Sequence, residues 1–155
     1  KIKIKNLNLE VKIPNLEMNF DIEEMGGQFC SKNNNKVTNL GYATHVAVEN
    51  DELYCVDSRV DYSNWPETAA VNTFYTYDVK LGTKSSGSFL KNAPEELSTA
   101  VIYMIAVNDS NGDIYIGTTG HSNVNGDIYR FRNDGTYMEK FDCGGQNPNS
   151  AVFFN

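Results

Sequence analysis

The chain has 155 residues, with 13 Lys and Arg against 20 Asp and Glu and a net charge of −7 at neutral pH. Its only basic run is Lys1, Lys3 and Lys5, so it cannot neutralise a line of phosphates, which excludes nucleic acid as a partner. No stretch approaches the roughly 18 apolar residues of a membrane span. Nine Tyr, eight Phe and 12 Gly suit a twisted β protein with many tight turns.

Residues 1 to 21 alternate: Ile2 and Ile4, then Leu7, Leu9, Val11 and Ile13, with a phase slip at Asn6 that predicts a turn or bulge. Pro14 ends the run and Leu16 to Asp21 reads as a further strand. The polar stretch Glu23 to Leu40, with Asn33-Asn34-Asn35, is expected to be a loop. The chain opens at Lys1 without a methionine, signal peptide or lipid-attachment cysteine, and the expectation is the C-terminal part of a longer protein.

From Tyr42 onward the pattern is strand and turn. Val46-Ala47-Val48 precedes Asn50-Asp51, then come Leu53 to Asp57, Phe74 to Tyr77 and a turn at Lys80 to Gly82. Asn92, Pro94, Glu95 and Glu96 form a helix start, so one helical turn is expected around Pro94 to Leu97. The β-branched run Val101 to Val107 then returns to strand, followed by Asn111-Gly112, Ile114 to Thr118, Ile128 to Phe131, Asp134-Gly135 and Tyr137 to Phe141.

The second run repeats the first. Leu53 to Asp57 overlay Ile114 to Thr118 at 61 positions, Val46 to Val48 overlay Ile105 to Val107 at 59, and Phe74 to Tyr77 overlay Ile128 to Phe131 at 54. The offset drifts only at turns, as loop insertions between equivalent strands require. Four-stranded antiparallel meanders in tandem are blades of a β-propeller, so the expected fold is all-β. The expected divisions are outer strands of a preceding blade and a loop over 1–41, blades over 42–101 and 102–150, and a strand entering the next or closing blade over 151–155. Two blades and part of a third do not close a ring, since propellers hold about four or more.

If strands A to D run from the innermost outward, the A–B and C–D turns are short. The B–C connections (Ser58 to Asn72, Thr119 to Asn125) and D–A connections (Glu23 to Leu40, Ser88 to Ala100, Cys143 to Ser150) are long. Alternating strand direction puts all the long ones on one face, the expected functional surface. Within Ser58 to Asn72 lie Arg59, Asp61, Tyr62, Asn64, Trp65 and Pro66, and seven of the insertion's residues have no counterpart in the second repeat. Trp65, the only tryptophan, suits stacking on a ring or docking to a partner, or else folds back to plug its own loop or a neighbouring blade. Asp57 sits at the strand end beside the insertion. With Asp57, Arg59, Asp61, Tyr62 and Trp65, the second loop's His121 and Asn123 complete the expected ligand- or partner-binding set.

Other residues carry less. Asp109 to Asp113 imitates the start of a calcium loop, but Ile114 and Gly120 stand where such a loop needs glycine and glutamate. His45 and His121 have no ligand-spaced partner, so no metal is expected, nor any other cofactor. No nucleophile, base and acid fall in a recognisable catalytic order. Cys55 alternates within a strand as a small core residue, while Cys30 and Cys143 either pair or remain thiols.

The run Asn111 to Ile116, Asn125 to Phe131, Gly135, Phe141 and Gln146-Asn147-Pro148-Asn149-Ser150-Ala151-Val152-Phe153 resembles the C-terminal blade of YncE/YVTN-type propellers, surface lipoproteins of Bacteroidetes. The resemblance is good from Ile105 on, fair for Tyr42 to Leu90 and poor before 40. It implies a seven- or eight-bladed ring tethered outside the outer membrane, a non-catalytic capture protein. Its implied partners are a small-molecule nutrient, cobalamin being one class, and a TonB-dependent transporter. Alternatives are a propeller hydrolase or lactonase-like enzyme and a structural assembly subunit. The innermost strands offer Val46, Val48, Ile105 and Val107 where an enzyme of that kind would need inward carboxylates or histidines.

Overall fold

A computed structural model describes residues 9–13, 16–23, 28–33, 36–65, 68–120 and 124–154. The chain divides into two compact units, Lys1–Thr44 and His45–Asn155.

The first unit is a four-stranded antiparallel meander of β1 (Leu9–Ile13), β2 (Leu16–Glu23), β3 (Gln28–Asn33) and β4 (Lys36–Tyr42). β1 ends at Ile13 and β2 begins at Leu16, while Pro14, expected to end the first strand, lies outside the described residues. The stretch 23–40, expected as a loop, instead holds β3 and most of β4, paired from Gln28↔Tyr42 to Asn33↔Lys36. Ladders are made by backbone groups, and polar side chains on a strand remove the apolar alternation by which sequence reveals it. A complete meander therefore stands where outer strands and a loop were expected. Asn6, Ile2, Ile4 and Leu7 lie outside the described residues.

The second unit holds two further meanders. One comprises β5 (His45–Glu49), β6 (Glu52–Asp61), β7 (Ala69–Asp78) and β8 (Thr83–Lys84); the other β9 (Val101–Val107), β10 (Ile114–Thr119), β11 (Asp127–Phe131) and β12 (Tyr137–Asp142). The turns need left-handed backbone where the sequence places Gly or Asn: φ is +46° at Asn50, +68° at Gly82, +76° at Gly112 and +84° at Gly135. The repeat extends to register. Val48, Leu53, Tyr77 and Lys84 lie abreast in one sheet, and Val107, Ile114, Phe131 and Tyr137 in the other.

The two sheets pack face to face. Tyr54, Val56 and Phe74 of the first meet Ile105, Ile114, Ile116, Tyr129 and Phe131 of the second, with Leu97 and Ile102 closing the cluster. Leu97 belongs to a single 3-10 turn, Glu95–Ser98, close to the expected Pro94 to Leu97. Asn92 does not cap it; Pro94 is the capping residue, without a side-chain bond, and Asn92 takes a φ of +55°. The linker from β8 feeds Phe89 edge-on to Tyr54 and Phe74, at ring distances of 5.3 and 6.1 Å. Lys91 then bridges to Thr136, its N–H bonded to the Gly135 carbonyl.

Leu53, Cys55, Tyr75 and Tyr77 are buried on the opposite face of the first sheet, with Lys84 over the Tyr75 ring at 3.5 Å. This burial predicts alkaline destabilisation. Desolvation pushes the Cys55 thiol from 9.0 to about 11 and raises Tyr75 as well. The unfolded chain releases the thiol proton first, so stability present below pH 9.0 declines as pH rises toward about 11. Urea midpoints between about pH 8 and 10 should fall for the parent more than for Cys55→Ala, a difference of about 1–2 kcal/mol. Parallel profiles would overturn this. His45 acts at the other end: burial lowers its pKa, so the unfolded chain protonates first as pH falls below 6.5, and stability drops in that direction.

Candidate functional site

The predicted insertion Ser58 to Asn72 is mostly not a loop. β6 and β7 continue their ladder through Ser58↔Asn72, Arg59↔Val71, Val60↔Ala70 and Asp61↔Ala69, leaving 62–68 as the connection. The extra residues lengthen a hairpin instead of bulging out, because continuing an antiparallel ladder pairs the inward-facing N–H and C=O of every second added residue. One side of this extension is braced. Asn72 Nδ2 donates to the carbonyls of Leu97 (2.9 Å) and Ala100 (2.7 Å), and the Ala70 N–H donates to Thr99 O at 3.0 Å.

The alternate positions face away from that brace. Arg59 donates through Nε and Nη2 to Asp57 Oδ2 at 3.2 and 3.0 Å, an i, i+2 pair on one strand face. Asp61 Oδ1 accepts the Ser63 N–H at 2.8 Å and so shapes the turn, which lowers its pKa. Val71, absent from the predicted set, is 71% exposed beside Arg59.

At the tip stand Tyr62 and Trp65, 57% and 60% exposed, with ring centroids 6.4 Å apart and planes inclined by 37°. Trp65 therefore does not plug its own loop. The structure thus gathers Asp57, Arg59, Asp61, Tyr62 and Trp65 on one hairpin. His121, Asn123 and Pro66 lie outside the described residues.

Parts of the long connections meet at one end of the two sheets, although the 88–100 connection begins at the other end, where Lys91 bonds the β11–β12 turn. The tip of β6–β7 sits beside Leu97 to Ala100, which leads into β9, and β9 starts opposite the end of β10 at Thr119↔Val101. Here Thr118, the register equivalent of Asp57, is buried and bonds the Asp127 carbonyl at 3.3 Å, so only Asp57 reaches the surface pair. Thr119 Oγ1 donates to Asn147 Oδ1 at 2.6 Å, and Asn125 Nδ2 to the Asp142 carboxylate at 2.9 and 3.1 Å.

Residues 143–154 form no ladder and lie across the outer face of the second sheet. Phe153 packs on Tyr115 at 5.0 Å, and Pro148 lies over Gly117 and Gly126, where any Cβ would strike it. A groove of about 530 Å³ remains, floored by Met104, Tyr115, Ile128 and Phe141. Cys143 is a free thiol donating to Gly145 O at 2.8 Å.

The calcium-like run is otherwise engaged. Arg130 Nε and Nη2 grip Asp113 Oδ2 at 3.0 and 2.7 Å, and Nη1 reaches Glu139 Oε1 at 2.9 Å. Asn111 Oδ1 accepts the Asp113 N–H. These carboxylates serve an Arg cross-strand triad, and the described residues contain no cluster of three metal-ligating side chains. Among them, no helix is long and apolar enough to cross a membrane. No family model and no curated protein matches the chain.

Proposed function

We propose that the chain is part of a β-propeller acting as a non-catalytic cell-surface binding module, which captures a nutrient or partner on its long-connection face and serves an outer-membrane transporter. The observation that carries it is the exposed Tyr62–Trp65 pair on a braced hairpin. Exposing two large rings in water is unfavourable for folding alone, and rigid aromatics of this kind anchor binding surfaces.

Propeller architecture draws support from how the two sheets stack. The first sheet packs through Tyr54, Val56 and Phe74, whose register equivalents in the second are Tyr115, Gly117 and Ile128, on its outer face. The stack is head-to-tail, and the outer face of the second sheet repeats the position of the face that already receives a neighbour. Such contacts propagate copy by copy and close into rings when the rotation allows. The linker echoes it, since Phe89 lies on Tyr54 as Phe153 lies on Tyr115. The seven or eight blades, the surface location and the transporter rest on the resemblance alone.

Purified protein is tested against oligosaccharides and cyanocobalamin by calorimetry, and against envelope membranes of the producing cells by sedimentation. Trp65→Ala should weaken binding about tenfold or more, equivalent to about 1.4 kcal/mol. Its stability should change by less than about 1 kcal/mol, since the side chain is largely exposed. Equal affinity for parent and variant would remove the hairpin from the site.

A further inference from the structure

The hairpin tip differs in shape from a small-molecule site. Small ligands are held in concavities that bury most of their surface, whereas Tyr62 and Trp65 project from the end of a ladder that runs five pairs beyond the β5–β6 ladder beside it. A projecting knob buries its rings only by entering a concavity on something larger.

The residues that project are also the types that dominate protein–protein contacts. Trp65, Tyr62 and Arg59 are exposed together, and Val71 extends the apolar strip along the same side as Arg59. The surface is stiff, because the Asn72 and Ala70 bonds to residues 97–100 fix the ladder from behind. Rigidity lowers the ordering cost of association. Its charge has a sign as well: residues 57 to 65 hold Asp57 and Asp61 against Arg59, within a chain of net charge −7.

We infer that the β6–β7 tip inserts into an apolar socket rimmed by basic residues on a partner protein, with Trp65 as the central anchor and Tyr62 and Val71 as flanks. Asp57 holds Arg59 in place through its side-chain pair, and Asp61 fixes the turn that presents the rings. The acidic surroundings set the partner's charge and speed encounter. This rests on the binding role proposed above and narrows its target to a protein.

The test is site-specific photocrosslinking of the full protein in the cells that produce it, with Tyr62→p-benzoylphenylalanine and, as a control, Leu81→p-benzoylphenylalanine at an exposed turn on the other end of the sheet. A protein adduct is expected from position 62 and not from 81. Adding Trp65→Ala should reduce it about tenfold, and raised salt should reduce it further. The adducted peptide should lie in a groove bordered by Lys or Arg. Absence of a position-specific protein adduct overturns the inference, as does an adduct insensitive to Trp65→Ala. If no protein adduct forms while oligosaccharide or cyanocobalamin binding still depends on Trp65, the binding role stands and the protein partner falls. If neither depends on Trp65, both fall.

Discussion

Phe131→Ala should cost about 3–5 kcal/mol of unfolding free energy, the range for deleting a fully enclosed aromatic side chain. Phe131 has no exposed surface and belongs to the cluster where the two sheets of the second unit meet. Its ring packs on Tyr137 at 5.6 Å, so truncation removes an aromatic pair as well as burial. The cavity opens between two sheets whose ladders fix their backbones, which limits collapse into it. Urea unfolding measures the loss, with Leu81→Ala as control: at 74% exposed, Leu81 should change stability by less than about 0.5 kcal/mol. A Phe131→Ala loss below about 1 kcal/mol would mean the sheets do not enclose it, and the head-to-tail stack would lose its support. Because Phe131 lies on the second sheet, at the end away from the β6–β7 tip, binding per folded molecule should be unchanged.

The repeat was legible because its information sits in turns. Gly82, Gly112 and Gly135 mark left-handed positions, and the strands between them keep one apolar row each, so overlaying Leu53 on Ile114 and Tyr77 on Phe131 recovers the observed register. β3 and β4 were not legible, since Lys32, Asn33, Lys36 and Asn39 give a strand no apolar period. The insertion failed for a related reason: Arg59, Asp61 and Asn72 read as loop, yet the ladder through them is made by backbone and anchored by one Asn side chain reaching two carbonyls. Sequence placed Trp65 at the right end of the sheets but left its exposure open, because that depends on the ladder's added length. Residues 151–154 have the apolar character of a strand, but a strand needs an edge to pair with, and here they lie on a sheet face.

Gly135→Ala should be comparably damaging for a different reason. Gly135 has a φ of +84°, where a side chain alone costs about 1–2 kcal/mol, and a Cβ there would overlap the Phe89 carbonyl. The obstacle is backbone and cannot rotate away. Relieving it means moving the linker, and two bonds hold that linker: Lys91 N–H to Gly135 O at 2.8 Å, and Tyr137 N–H to Lys91 O at 3.0 Å. Losing them adds about 1 kcal/mol each, and displacing Phe89 from Tyr54 and Phe74 adds more, so the total should be about 4 kcal/mol. Gly144→Ala separates the two contributions. Its φ is +73°, but nothing lies within 4 Å of the added atom, so it should show only the backbone cost of about 1–2 kcal/mol. Equal losses at the two glycines, measured by urea unfolding, would show that the linker does not clasp the β11–β12 turn. A large gap would identify this clasp, with its Phe89 wedge, as what ties the outer edge of one repeat to the next.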